Sequence, residues 1–253
     1  MPLTAAGTTQ KWCGDAVTHD IVFLLDVDNT LLDNDRVIHD LRQHLERAFG
    51  HASAERYWEF FEQLRSELGY ADYLGALQRY RMDELSDAQS DPRLLEMSTF
   101  LIDYPFVDRL YAGALNVIER LQTFGATVLL TDGDVVFQPH KVQRSGLWHA
   151  VDGRVLIYLH KERMLHSMQQ RFPAQHYVMV DDKLRILAAM KQSLGARLTT
   201  VFARQGHYAT DPNNIAHYPQ ADISLDCIGD LLAIDLPTLL GQKATSRSKQ
   251  ESP

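Results

Sequence analysis

Ile21-Val22-Phe23-Leu24-Leu25-Asp26-Val27-Asp28-Asn29-Thr30 is the stretch that decides how this chain is read. Its apolar half, bounded by polar residues, reads as a buried strand. Two acids one residue apart then leave the strand's carboxyl end together, where ligands bind in open α/β sheets. One carboxylate so placed binds a hard cation or attacks an electrophile, while the second moves protons. The plainer alternative is a loop in which Asp28 or Asn29 does no more than cap the next helix.

Working outward, residues 36–49 read as a helix that stops at Gly50. Residues 54–68 form a second, with Tyr57, Phe60, Phe61, Leu64 and Leu68 at helical spacing. Residues 72–82 and 91–102 add two more, the latter capped by Asp91 with Pro92 in its first turn. Beyond Asp108 the rhythm changes. Strands at 127–130, 155–159, 177–180, 198–202 and 223–225 alternate with helices at 114–124, 138–145 and 162–171. Further helices run from Asp182 to Leu194 and, as an apolar segment, after the last strand. Alternation of this kind argues for a parallel sheet covered on both faces. The expected fold is therefore α/β: a Rossmann-like, three-layer core built from 19–32 and 109–240, with an all-helical domain, 33–108, inserted after the first strand. Residues 1–18 read as a loose arm and 241–253 as a disordered tail.

The chain has 253 residues and a formal net charge of -8, which disfavours the phosphate-backbone contacts of nucleic-acid binding. No run is long enough to span a membrane. No basic start followed by an apolar core marks a secretory signal, and Cys13 and Cys227 form neither a disulfide framework nor a zinc pattern. The expectation is a cytoplasmic protein whose partner is a small metabolite.

Three other strand ends, or the turns just beyond them, carry chemistry suited to phosphate. Thr131 and the Asp132-Gly133 turn offer a hydroxyl and backbone N–H groups to phosphate oxygens. Lys161, just past the third strand, brings a cation. Asp181 and Asp182 end the fourth and suit a magnesium site. Lys141, in Gln138-Pro139-His140-Lys141, reads as a solvated helix residue. The Tyr57, Trp58, Phe60 and Phe61 stripe reads as helix core, His207 as a loop residue, and Arg65, Arg79 and Arg81 as water-facing.

In these motifs the chain resembles the haloacid dehalogenase-like (HAD) hydrolase superfamily, whose pattern is Asp-x-Asp-x-Thr, a later Ser or Thr, a Lys, and paired acids. The resemblance covers about residues 21–240, and relatives with an insertion in this place carry a mobile helical cap. It implies that Asp26 is the nucleophile, giving an aspartyl-phosphate, and that Asp28 is the acid and base. It also implies that Lys161 offsets charge, and that Asp26, the Asp28 backbone carbonyl, Asp182 and its neighbour Asp181 hold Mg2+. A further Asp often present a few residues on is absent, since Leu184, Arg185 and Ile186 follow Lys183. The function implied is a magnesium-dependent phosphatase for small phosphorylated metabolites. Alternatives are a sugar phosphomutase of the same family and a non-catalytic module that binds phosphorylated ligands. Dehalogenation is disfavoured, because family dehalogenases lack the second acid.

Overall fold

Six strands, all parallel, form one sheet in the order β3-β2-β1-β4-β5-β6. They are β1 (His19–Leu25), β2 (Ala126–Asp132), β3 (Val155–Tyr158), β4 (Ala174–Asp181), β5 (Leu198–Ala203) and β6 (Ile223–Leu225). The structure is a computed structural model that describes residues 18–83 and 91–240. The expected arm, apart from Thr18, and the expected tail lie outside the described residues. Among the described residues no helix is long and apolar enough to cross a membrane.

The first strand shows why its sequence does not alternate. Ile21, Phe23 and Leu25 enter one apolar cluster with Val178, Val180 and Val201, while Val22 and Leu24 enter another with Val128, Tyr177 and Met179. A strand covered on both faces needs apolar residues at every position. Helices α5 (Ala114–Gln122), α6 (Phe137–Arg144) and α7 (Leu147–Ala150) contribute to the first cluster; α8 (Leu165–Arg171) and α9 (Leu184–Leu194) contribute to the second. This is the Rossmann-like α/β core that the sequence predicts.

Between β1 and β2 stand α1 (Asn34–Phe49), α2 (His51–Leu68), α3 (Tyr73–Met82) and α4 (Arg93–Ile102). Their apolar faces, including Leu41, Tyr57, Phe61, Ala76 and Met97, belong to the same cluster that covers one face of the sheet. The two connections to this helical insertion are zipped together. Leu32 and Leu110 pair antiparallel, the Asp33 N–H donates to Arg109 O (2.7 Å), and the Tyr111 N–H donates to Leu31 O (3.0 Å).

Several element boundaries differ from the sequence reading, each for a local reason. Helix α1 begins at Asn34 because Asp33 accepts from the Arg36 N–H (2.9 Å) and Asn29 Oδ1 accepts from the Asn34 N–H (3.0 Å), the first N–H of the helix. Helix α2 begins at His51, since Gly50, at φ 84°, ends α1 and opens α2 in a single step. The expected helix over 162–171 is split into a 3-10 turn at Lys161–Arg163 and α8. The Lys161 N–H donates to Asp132 Oδ1 (2.7 Å), which pins the turn to the sheet. The final apolar segment is a 3-10 turn at Ile228–Ala233 followed by a short helix at Leu236–Leu239. Pro237, which has no N–H to give, prevents one continuous helix.

Register sets the chemistry in place. Leu25 pairs with Val180 across β1 and β4, and the Asp26 N–H donates to Val180 O (3.0 Å). Asp26 and Asp181 therefore leave neighbouring strands at one level, at the carboxyl edge where the chain order reverses around β1.

Candidate active site

The loop after β1 is a tight turn on one carbonyl: Val27 O accepts from the N–H groups of Thr30, Leu31 and Leu32 at 3.3, 2.9 and 2.9 Å. Asn29 sits at φ 60°, the left-handed region that Asn tolerates better than most residues. Its Oδ1 accepts from the N–H groups of Asn34 (3.0 Å) and Asp35 (3.1 Å), satisfying donors at the start of α1. Gly206 closes against it, and a Cβ there would lie 2.5 Å from Asn29 Cβ. Helix capping thus falls to Asn29 and Asp33, and Asp28 is free for other work.

Asp26 is buried, 3% exposed, with Oδ1 accepting from Lys161 Nζ and Oδ2 from Thr30 Oγ1 (3.2 Å). Lys161 Nζ also meets Asp181 Oδ2 (2.7 Å) and Leu130 O (3.2 Å). Burial works to discharge this ammonium, but the carboxylates of Asp181 and Asp26 outweigh it and hold the lysine above its ordinary pKa. Asp181 Oδ1 accepts from the Lys183 N–H (2.8 Å), so both of its oxygens are engaged.

Asp182 is different. It is fully buried, and neither side-chain oxygen has a hydrogen-bond partner. Lys183 Nζ comes no nearer than 3.9 Å. Burial pushes the Asp182 carboxyl well above the ordinary carboxylate range, and the acids Asp181 and Asp26 add to the push, while the Lys183 charge opposes it without cancelling it. A buried carboxyl without partners is costly unless a cation or proton joins it. Oxygen atoms of Asp26, Asp181 and Asp182 lie within 4.8 Å of one another, an all-oxygen set that fits a hard divalent cation.

Asp28 faces a different group. Its Oδ1 lies 2.7 Å from Lys141 Nζ, and its Oδ2 accepts from Gln138 Nε2 (3.3 Å). Lys141 is 1% exposed, which corrects its reading as a solvated residue. Residues 137, 138, 141 and 142 share the buried face of α6, so helical geometry turns Lys141 inward beside Phe137 and Val142. The apolar pair flanking Gln138 and Lys141 at helical spacing was the available sequence signal. Thr131, 1% exposed, accepts from Gln138 Nε2 at 3.0 Å.

The next turn needs a second correction. The Gly133 N–H donates to Tyr158 O (2.9 Å), so it is committed to the sheet instead of a phosphate oxygen. Glycine is required there because a Cβ would come 2.6 Å from Gln138 Cβ. Asp132 uses its side chain to hold the Lys161 backbone. Burial raises its carboxyl to about 6, partly opposed by the Lys161 charge.

Above these groups lies a cavity of about 540 Å³ between the carboxyl edge of the sheet and the helical insertion. Asp28, Asp132 and Lys141 line its floor; Trp58, Phe61, Arg65 and Tyr73 line it from the insertion. Trp58 and Phe61 are buried as expected of helix core, and they also form cavity wall. Arg65 Nη1 reaches Tyr208 Oη (3.2 Å) on α10 (Gly206–Thr210), bridging insertion and core. His207, expected in a loop, is on α10 and its backbone N–H donates to Asp35 Oδ2 (2.7 Å).

Comparison with known proteins agrees with this fold. The model of the haloacid dehalogenase-like hydrolase family matches residues 22–193. A haloacid dehalogenase-like hydrolase from Burkholderia xenovorans LB400 is 64% identical, covering 86% of this chain and 99% of its own, with a TM-score of 0.81. A HAD-hydrolase from Bacillus subtilis, bound to magnesium and showing interdomain movement, is 18% identical over 84% of this chain and 96% of its own (TM-score 0.57). The L-2-haloacid dehalogenase of Xanthobacter autotrophicus is 15% identical over 83% and 96% (TM-score 0.54). The last two likenesses speak to fold alone. Among curated proteins none matches. With the family model spanning more than half the chain and a close structural relative over most of it, this protein belongs to the haloacid dehalogenase-like hydrolases.

Proposed function

We propose that the protein is a magnesium-dependent phosphatase that hydrolyses small phosphate monoesters through an aspartyl-phosphate at Asp26. The observation that carries this reading is the pair of carboxylates on one loop. Asp26 is buried and oriented by Lys161 and Thr30, while Asp28, 24% exposed at its side chain, faces the cavity. A halide leaves without a proton, so dehalogenation has no use for a second acid as proton donor to the leaving group.

In the first step Asp26 attacks phosphorus, the bond from phosphorus to the leaving oxygen breaks, and Asp28 gives that oxygen its proton. In the second, Asp28 takes a proton from a water as that water attacks phosphorus. The bond between Asp26 and phosphorus breaks, inorganic phosphate leaves, and both carboxyl groups return to their starting states. Lys161 lessens repulsion between Asp26 and the anionic substrate, and the Thr131 hydroxyl offers a donor to a phosphoryl oxygen. Asp26, the Asp28 backbone carbonyl and Asp182, with Asp181 beside it, would hold Mg2+, which supplies further positive charge when bound. The unpartnered oxygens of Asp182 support that assignment. The insertion, α1 to α4, would serve as a cap that excludes water over the cavity.

The test is release of phosphate from p-nitrophenyl phosphate with and without magnesium. Magnesium-dependent release by the wild type, lost in Asp26→Asn, is expected. Halide release from 2-haloacids without added metal, and no phosphatase activity, would overturn the reading.

A further inference from the structure

We propose that Lys141 is a positioning residue for Asp28, fixing the acid–base carboxylate and tying its placement to the helical insertion through Asn34. The proposal rests on the phosphatase reading, in which Asp28 makes the proton transfers.

Lys141 is a buried cation with two polar partners: Asp28 Oδ1 at 2.7 Å and Asn34 Oδ1 at 3.0 Å. Burying an ammonium is costly, so the site holds it there by hydrogen bonds from opposite sides. One side is the catalytic loop and the other is the first residue of α1. Three residues earlier on α6, Gln138 donates to the second Asp28 oxygen and to Thr131. Both oxygens of Asp28 are therefore gripped by one helix, whereas Asp26 takes its contacts from Lys161 and Thr30. Two separate lysines hold the two acids.

The chain of contacts continues into the insertion. Asn34 Nδ2 donates to Tyr73 Oη (3.4 Å), and Tyr73 O accepts from Tyr57 Oη (3.0 Å). The Tyr73 ring lies between Phe61 of α2 and Phe137 of α6, with centroids 4.9 and 5.2 Å away. A shift of the insertion thus moves Asn34, and with it one of the two groups that hold Lys141. Proton transfer demands close placement of the acid, and a misplacement of about 1 Å costs on the order of a hundredfold in rate.

A double-mutant cycle on the full chain tests this, using Lys141→Met, Asp28→Asn and the double variant with p-nitrophenyl phosphate and an alkyl phosphate. Lys141→Met is expected to lower kcat by about tenfold to a hundredfold with KM little changed, because the contact acts on the transition state. In the Asp28→Asn background the same change is expected to cost less than about twofold, since the group it positions is already disabled. Lys141→Arg is expected to restore part of the loss. Equal losses in both backgrounds, a rise in KM at unchanged kcat, or a silent Lys141→Met would overturn the proposal. Should Lys141→Met fail to fold, Asn34→Ala, which leaves the Lys141–Asp28 pair in place, decides the question through the same cycle. A wild-type protein that releases no phosphate from either ester refutes the phosphatase reading itself. An active wild type with additive losses refutes the role of Lys141 alone.

Discussion

Asp182 places two buried oxygens beside Asp26 and Asp181, and neither receives a hydrogen bond; the nearest cation, Lys183 Nζ, stands 3.9 Å off. That imbalance leads directly to an expected outcome. Magnesium that binds the folded state raises its stability by mass action, so the melting temperature of the wild type should rise with magnesium concentration. Asp182→Ala should weaken this response, with affinity falling by about tenfold or more, the scale set by lost support at metal sites. Asp181→Ala should weaken it less, because both Asp181 oxygens already have protein partners. Equal magnesium shifts in wild type and both variants, read by thermal denaturation, would remove the site. Among single residues, the sequence made Asp26, Asp28, Thr131, Lys161 and the acid pair legible, because strand ends and spacing mark them. Lys141 was not legible in the same way. A lysine in the middle of a short helix is usually solvated, and only the three-dimensional approach of α6 to the loop makes it a partner of Asp28. Gly133 misled for a similar reason: its N–H is spent on β3, a pairing that spacing along the chain does not reveal.

At the scale of elements, the turn after β1 does two jobs with adjacent residues. Asp28 points to α6, while Asn29 caps α1 from a left-handed backbone conformation. Asn29→Ala should destabilise the protein by about 1–2 kcal/mol through the lost cap, with backbone strain adding to it. Asn29→Gly, which keeps the backbone conformation, should be the milder change. Urea denaturation of the two variants checks this; an alanine variant as stable as wild type would exclude the capping role. Strand order and the existence of the helices were readable because β1 is a continuous apolar run and the later strands alternate with helices. Boundaries were less readable where a tertiary contact sets them. The 3-10 turn at Lys161–Arg163 follows from the grip of Asp132 on the Lys161 backbone, and neither residue's neighbours in sequence announce it.

At the scale of the whole molecule, the insertion is joined to the core by paired connections at Leu32 and Leu110 and by shared apolar packing. Arg65 and Tyr208 add a polar bridge across the cavity. If the insertion works as a cap, fixing it in this position should hinder substrate admission and product release. Paired cysteines at positions 65 and 208, in a background with Cys13 and Cys227 replaced by serine, can be joined by a bifunctional maleimide. Crosslinking is expected to lower turnover several-fold, and more for bulky phosphate esters than for small ones. Unchanged turnover after complete crosslinking would show that the insertion need not move. A helical block of this kind was legible from periodicity, but its packing onto the sheet was not, because the pairing of helix faces depends on contacts far apart in sequence.

The proposed phosphoryl carrier is Asp26 itself, and an acid-quenched reaction followed by mass-spectrometric peptide mapping reads that out at the residue. With a phosphate monoester and magnesium, the quenched wild type should yield a phosphorylated peptide whose modified residue is Asp26, and Asp26→Asn should yield none. Turnover of the ester by Asp26→Asn at the wild-type rate, or a phosphorylated residue other than Asp26, would rule Asp26 out as the nucleophile.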